Sequence, residues 1–269
     1  LGIDVGTSRT KAVAYDADFR PLAESNTEYG RLTPQPGWYE IDSDELAQAV
    51  RHVIGHCATQ CASDPIRWVS FSVFGGGISA VDTELRPLLN VISTTDQRAQ
   101  SHAEDWLRRF GRDRTYAITG TTTHPSLMLP KILWISANLD RADRVDKFVT
   151  AAELVQTSLG VSPKMDLATA STTMLLDINR RQWSKDILAA AEIPVEKLPE
   201  LAAPGARRGA GQPPTGGGPR SARTPERQEL HCAGPSHRES RTRGCLCAPR
   251  HGDRHARRSE RSCPFRRPT

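Results

Sequence analysis

The sequence has no long apolar run and few cysteines outside its last quarter. No run approaches the roughly 18 residues of a membrane-spanning helix, and we expect no charged-then-apolar leader before Leu1. Only Cys57 and Cys61 occur before residue 207, on one predicted helix, which argues against a disulfide scaffold. We therefore predict a reduced, cytoplasmic protein with no membrane partner. Because the first residue is leucine, we expect that a few residues have been lost before it.

Lysine is absent from residues 207–269, which contain 15 Arg, eight Pro and eight Gly but few large apolar residues. Their net charge is +10, whereas residues 1–206 carry −5. So little apolar surface cannot offset the chain entropy lost on folding. We predict a globular domain over residues 1–205 and a disordered Arg-, Pro- and Gly-rich tail over residues 206–269.

The tail has the composition that GC-rich DNA gives when it is translated in the wrong frame, and we interpret it as a frameshift product from about Arg208. Its candidate zinc ligands, Cys245, Cys247, His251 and His255, are too closely spaced for a zinc finger. Its arginines can attract nucleic-acid phosphates, but no base-reading element accompanies them. We predict no specific nucleic-acid partner.

Apolar periodicity before the tail predicts an α/β domain. Alternation over residues 1–5, followed by runs at 12–15 and 22–29, predicts three antiparallel strands. Asp42 or Ser43 can cap a helix whose apolar residues recur from Leu46 to Cys61. The other predicted elements are strands over 68–74 and 78–81 around a glycine turn, and helices over 96–110, 125–138, 151–159 and 184–191.

The opening segment, LGIDVGTSRTK, carries the clearest chemical pattern. Asp4 stands at the end of a predicted strand, and Gly6 lets backbone amides approach a phosphate. Thr7 and Ser8 add hydroxyl donors, and Lys11 adds positive charge. Asp4 can hold Mg²⁺ directly or through water, because this ion binds few carboxylates and keeps several waters. The pattern favours phosphoryl transfer; the alternative is an ordinary hairpin with a surface lysine.

This strand, loop and strand resemble the first phosphate-binding element of the sugar-kinase, actin and heat-shock ATPase superfamily. Five further motifs narrow the resemblance to the FGGY carbohydrate kinases: PGWYEID (36–42), STTDQRA (93–99), TGTTTHPSLMLPKILWI (119–135), MDLATASTTMLLDINRRQWS (165–184) and LPEL (198–201). They occur in family order and extend the resemblance over residues 1–205. Xylulokinase-like and gluconate-kinase-like members are the most similar.

The resemblance implies an RNase H-like (actin-like ATPase) N-terminal domain that binds a small sugar or polyol. The implied activity is transfer of phosphate from ATP to a hydroxyl of that substrate, with ATP and Mg²⁺ as cofactors. By position, the resemblance assigns Asp4 to the metal and γ-phosphate. It assigns Gly6, Thr7, Ser8 and Lys11 to the nucleotide phosphates.

Thr94 stands where the family usually has Trp. Two further departures from the family pattern bear on activity. The turn that contacts the sugar, often Gln-Met-His-Gly, falls on Phe74, Gly75, Gly76 and Gly77. Either the pocket is wider, or backbone groups at Gly75 and Gly76 bind the substrate together with Asp96. The general-base Asp of the family, expected beyond LPEL, and the ATP domain after it are absent, so no catalytic residue is assigned. We expect a truncated chain that is inactive alone.

Asp96 and Arg98 have two interpretations. They bind and orient a sugar hydroxyl, or they form an ion pair that joins a strand end to the next helix. We favour the first for Asp96 and the second for Arg98, and we interpret Trp38 and Trp134 as packing residues.

Three functions remain open at this point. The chain is the N-terminal domain of an FGGY carbohydrate kinase with half of the active site, a non-catalytic sugar- or phosphate-binding fragment with a basic tail, or another superfamily member such as an actin-like ATPase. The PGWYEID and STTDQRA motifs count against the third. An uncovered cleft wall also predicts self-association, as a homodimer or a larger species.

Overall fold

The structure is a computed structural model that describes residues 1–203 and the backbone of Arg207–Gly209 and Glu229–His231. The tail predictions, including the rejected zinc ligands, fall almost entirely outside these residues and stay predictions.

Fifteen strands are described. In chain order they are β1 (Gly2–Val5), β2 (Arg9–Tyr15), β3 (Pro21–Glu28), β4 (Arg31–Leu32), β5 (Glu40–Ile41), β6 (Ser70–Val73), β7 (Ile78–Val81), β8 (Val91–Ile92), β9 (Lys147–Thr150), β10 (Lys164–Asp166), β11 (Leu176–Asp177), β12 (Gln182–Trp183), β13 (Glu200–Ala202), β14 (Arg207–Gly209) and β15 (Glu229–His231).

Seven α-helices connect and cover these strands in the described part of the chain. They are α1 (Ser43–Gln60), α2 (Gln100–Phe110), α3 (Arg112–Thr119), α4 (Met128–Asn138), α5 (Ala151–Ser158), α6 (Leu167–Ser171) and α7 (Lys185–Ala191), and short 3₁₀ turns lie at Ala142–Arg144 and Val195–Lys197.

The first sheet has the order β3-β2-β1-β6. β1 to β3 form the predicted antiparallel meander, and β6 pairs with β1 in parallel. This order agrees with an RNase H-like sheet, so the predicted fold is confirmed. Val5 is aligned with Val73, which places the carboxyl ends of β1 and β6 side by side.

Helix α1 covers one face of the first sheet. Its N-cap is Asp42, whose carboxylate accepts from the amides of Asp44 and Glu45, as predicted for one of the two candidate caps. Its buried residues, including Leu46 and Val53, pack with β1 and β2 in one apolar cluster. Cys57 and Cys61 are both buried, and neither forms a disulfide with a described residue.

The second sheet has the order β4-β5-β8-β7-β9 and is antiparallel throughout. The two strands predicted on either side of the glycine turn are present as β6 and β7, but they lie in different sheets. The turn therefore carries the chain from one sheet to the other and closes no hairpin. Helices α2, α4 and α7 contribute Trp106, Ile132 and Ile187 to a second apolar cluster beside this sheet.

Helix boundaries are where the sequence predictions were least accurate. The helix predicted from residue 96 begins at Gln100, because the carboxylate of Asp96 accepts from the amide of Arg98 and holds the chain in a turn. The helix predicted from residue 125 begins at Met128. Helix α3 was not predicted, and it lies between two positive-φ glycines, Gly111 and Gly120.

Candidate functional site

Two turns leave the first sheet at the same end. The Gly6 turn (residues 6–8) follows β1, and the glycine turn (residues 75–77) follows β6. The amide of Phe74 donates to the carbonyl of Val5 over 2.9 Å, which joins the start of one turn to the start of the other. Ligands of α/β sheets bind beyond the carboxyl ends of parallel strands. The two turns therefore form the candidate site.

The Gly6 turn is closed by its own backbone. The amide of Gly6 donates to the carbonyl of Arg9 over 2.9 Å. A Cβ at Gly6 would lie 3.1 Å from that carbonyl oxygen, so glycine fits here with the least crowding. Thr7 and Ser8 are exposed, and their amides and hydroxyls donate to none of the described residues. These donors are available to a ligand, and the phosphate-binding role of the turn stays a prediction.

Tyr29 holds the Gly6 turn in place through hydrogen bonds from its hydroxyl and its amide. Its hydroxyl donates to the carbonyl of Gly6 over 2.5 Å and accepts from the hydroxyl of Thr10, and its amide donates to the carbonyl of Ser8. Burial raises the pKa of the Tyr29 hydroxyl above its ordinary value of 10; the hydrogen bond from Thr10 opposes this effect and the charge of Asp4 adds to it. Nothing in the sequence near Tyr29 indicates this role, because its contacts are made across the sheet.

Asp4 and Lys11 face each other across β1 and β2 as register partners. Both are exposed, on the face of the sheet opposite α1. Neither side chain has a hydrogen bond or an ion pair within the part of the chain that the structure describes. Ser72 of β6 is the exposed neighbour of Asp4 on its other side. A free carboxylate beside a hydroxyl fits Mg²⁺, which keeps most of its waters.

This arrangement is not a closed metal cage. Among the described residues, no group of three or more His, Cys, Asp and Glu side chains could hold a metal ion. Asp4 can therefore supply one ligand, directly or through water, and a bound phosphate would have to supply others.

The glycine turn is held by side chains from two other segments. The hydroxyl of Thr94 donates to the carbonyl of Gly75 over 2.7 Å, and the ammonium of Lys131 donates to the carbonyl of Gly76 over 2.9 Å. Gly76 has a φ of +71°, and a Cβ there would lie 3.0 Å from Thr94. The amides of Gly75 and Gly76 donate to none of the described residues, so they are available to a ligand.

Lys131 lies in the first turn of α4 and is fully buried. It donates to the carbonyl of Ser93 over 2.8 Å as well as to the glycine turn. Burial lowers the pKa of Lys131 from 10.5 to about 7; the charge of Asp96 opposes this effect and that of Arg98 adds to it. In the sequence this lysine is recognisable only as part of a family motif, and nothing local indicates its contacts.

The Asp96 carboxylate is buried and fully engaged. One oxygen accepts from the backbone amide and Nε of Arg98, and the other accepts from the amide of Tyr39 and Nη2 of Arg98. A carboxylate has about four acceptor positions, and all four are used. The substrate-binding role of Asp96 stays a prediction, and the geometry favours positioning of the loop.

Arg98 forms the ion pair that was predicted for it. Its guanidinium is 2.7 Å from Glu40 and 2.8 Å from Asp96. It also lies over the rings of Trp38 and Trp134, with its central carbon 3.9 Å and 4.9 Å from their centroids. The two indoles pack edge to face at 5.2 Å, as expected of packing residues.

Comparison with known families matches residues 1–216 to the N-terminal domain of the FGGY family of carbohydrate kinases. The chain belongs to this family. Gluconokinase of Bacillus subtilis (strain 168) is 28% identical to this FGGY chain over 202 residues, which cover 75% of the chain and 39% of the gluconokinase. Xylulose kinase of Lactococcus lactis subsp. lactis (strain IL1403) is 28% identical over 204 residues, with 75% and 40% covered.

The fold of this FGGY chain is also that of a solved kinase. The crystal structure of ligand-bound xylulose kinase from Lactobacillus acidophilus superimposes with a TM-score of 0.69 at 24% identity, over 77% of this chain and 42% of that one. The chain thus spans about two fifths of the length of the relatives it matches. In the described residues, no helix is long and apolar enough to cross a membrane.

Proposed function

We propose that this chain is the sugar-binding half of an ATP-dependent carbohydrate kinase. The observation that carries the proposal is the position of two unlike turns beyond adjacent parallel strands, with Val5 aligned with Val73. Within the described residues, one turn offers hydroxyls and amides without partners beside a carboxylate without a partner, and the other offers only amides without partners. The first suits a phosphate with its metal, and the second suits a neutral polyol.

The residues of the chain then divide the binding between them. The amides of Gly75 and Gly76 donate to hydroxyl oxygens of the sugar or polyol. Thr7 and Ser8 donate to phosphate oxygens, and Lys11 lies on the same sheet face as Asp4 and attracts their charge. Asp96 acts through Arg98, by fixing the loop that carries Thr94.

ATP would supply the transferred phosphoryl group, and Asp4 would help to hold a Mg²⁺ ion that offsets the charge of the phosphates. In the overall reaction, the substrate hydroxyl oxygen forms a bond to the γ-phosphorus as the bond to ADP breaks, and the hydroxyl proton passes to a base outside the described residues. The part of this chain is to hold the hydroxyl and the phosphate at neighbouring positions.

Calorimetric titration of the full chain tests the proposal. Gluconate, D-xylulose and glycerol are added separately in the absence of ATP, and we expect at least one of them to bind. Inositol hexasulfate serves as a polyanion control for attraction to the arginine-rich tail. A folded chain that binds none of the three polyols would contradict the proposal.

A further inference from the structure

We propose that Lys131 is a positioning residue that fixes the glycine turn so that the amides of Gly75 and Gly76 are presented to the substrate. This inference rests on the proposed function. The turn consists of glycines and has no side chains, so a buried side chain of α4 sets its conformation.

The geometry brings three segments together at one ammonium group. Lys131 donates to the carbonyl of Gly76 over 2.9 Å and to the carbonyl of Ser93 over 2.8 Å. The next residue, Thr94, donates to the carbonyl of Gly75 over 2.7 Å. Two consecutive carbonyls of the glycine turn are thus held by one lysine and by the loop to which that lysine is bonded. The amides are the polar groups that the turn has left for a ligand.

Packing alone does not account for a lysine at this position. The side chain is fully buried, and removing an ammonium group from water is unfavourable unless it is well paired. Asp96 is close enough to act on Lys131 electrostatically, but the carboxylate is bonded to Arg98 and to the amide of Tyr39. A methionine would fill similar volume without that penalty. The two carbonyl contacts are therefore the specific contribution of the lysine.

The test compares Lys131→Met with Lys185→Met, a change at an exposed lysine of α7. Each full-length variant is labelled with ¹⁵N-glycine, and its amide resonances and its affinity for the tightest-binding of the three polyols are measured. In Lys131→Met we expect the Gly75 and Gly76 resonances to move, those of Gly55 and Gly160 to stay, and the affinity to fall at least tenfold. Lys185→Met should change none of these.

Thr94→Val supplies a second variant, because this exposed residue can lose its hydroxyl without disturbing the core. We expect it to move the Gly75 and Gly76 resonances and to weaken polyol binding several-fold. Unchanged Gly75 and Gly76 resonances in folded Lys131→Met and in Thr94→Val would overturn the inference. If the unmodified chain binds no polyol, the proposed function fails. The Gly75 and Gly76 resonances of the ligand-free proteins still test whether Lys131 fixes the glycine turn.

Discussion

The turns after β1 and β6 begin side by side, but different contacts hold them and they present different groups to a ligand. The Gly6 turn is held through Tyr29 and presents hydroxyls near the exposed charges of Asp4 and Lys11. The glycine turn presents only backbone and is held by Lys131 and Thr94. Exposed charged and hydroxyl groups can attract a charged phosphate, whereas a neutral polyol depends on hydrogen-bond donors that are held in fixed positions. In the function that we propose, this difference gives each turn its own ligand.

The largest effect is expected from Arg98→Leu, which removes the buried ion pairs in the loop that carries Thr94. It leaves Asp96 and Glu40 without their guanidinium in a buried site, and breaking such a pair costs about 3–5 kcal/mol of unfolding free energy. The measurement is urea unfolding. Arg20→Leu, at an exposed ion pair with Asp18, is the control and should change stability by less than about 1 kcal/mol. Equal losses in the two variants would contradict the account.

A second prediction concerns pH and the lysine that holds the glycine turn. Its pKa is about 7 in the folded chain and 10.5 when unperturbed, so between these values the unfolded chain holds more protons. Stability contributed by Lys131 is therefore present above pH 10.5 and is lost as pH falls through 7. From pH 7 to pH 9 the unfolding free energy should rise by about 2 kcal/mol more in the unmodified chain than in Lys131→Met. Parallel pH profiles for the two proteins would refute this.

A third prediction concerns the different effects of substituting Gly75 and Gly76. Gly76→Ala places a Cβ at a φ of +71° and 3.0 Å from Thr94, which should cost about 1–2 kcal/mol and weaken polyol binding. Gly75→Ala meets nothing within 4 Å and should stay within about 0.5 kcal/mol of the unmodified chain. Urea unfolding and calorimetry measure both variants. Equal losses of unfolding free energy and of polyol affinity in Gly75→Ala and Gly76→Ala would show that the conformation of the glycine turn is not fixed.

The smallest effect is expected at the other turn. Tyr29→Phe removes the hydroxyl that donates to Gly6 and accepts from Thr10, for a loss of about 1 kcal/mol. Binding of inorganic phosphate should weaken, while polyol affinity stays the same. Tyr116→Phe, at a side chain 57% exposed, is the matched control. A change in polyol affinity in Tyr29→Phe would mean that the two turns do not act separately.

Local signals made the first sheet and its helix predictable. The alternation over β1, the turn residues after it and the acidic cap at Asp42 each act within a few residues of chain. The family motifs located both turns of the candidate site. These signals do not reveal which residues hold the turns, because the contacts are distant in sequence. Lys131 and Gly76 are 55 residues apart, and Tyr29 and Gly6 are 23 apart. The disordered tail and the self-association stay predictions.

The most direct test of one ligand for each turn is a ¹⁵N-glycine spectrum of the full chain, titrated with the neutral sugar D-xylulose and, separately, with inorganic phosphate and Mg²⁺. We expect D-xylulose to move the resonances of Gly75 and Gly76 and leave Gly6 in place, and phosphate with Mg²⁺ to do the reverse. D-xylulose binding that leaves Gly75 and Gly76 unmoved, or both ligands moving the same turn, would contradict the account.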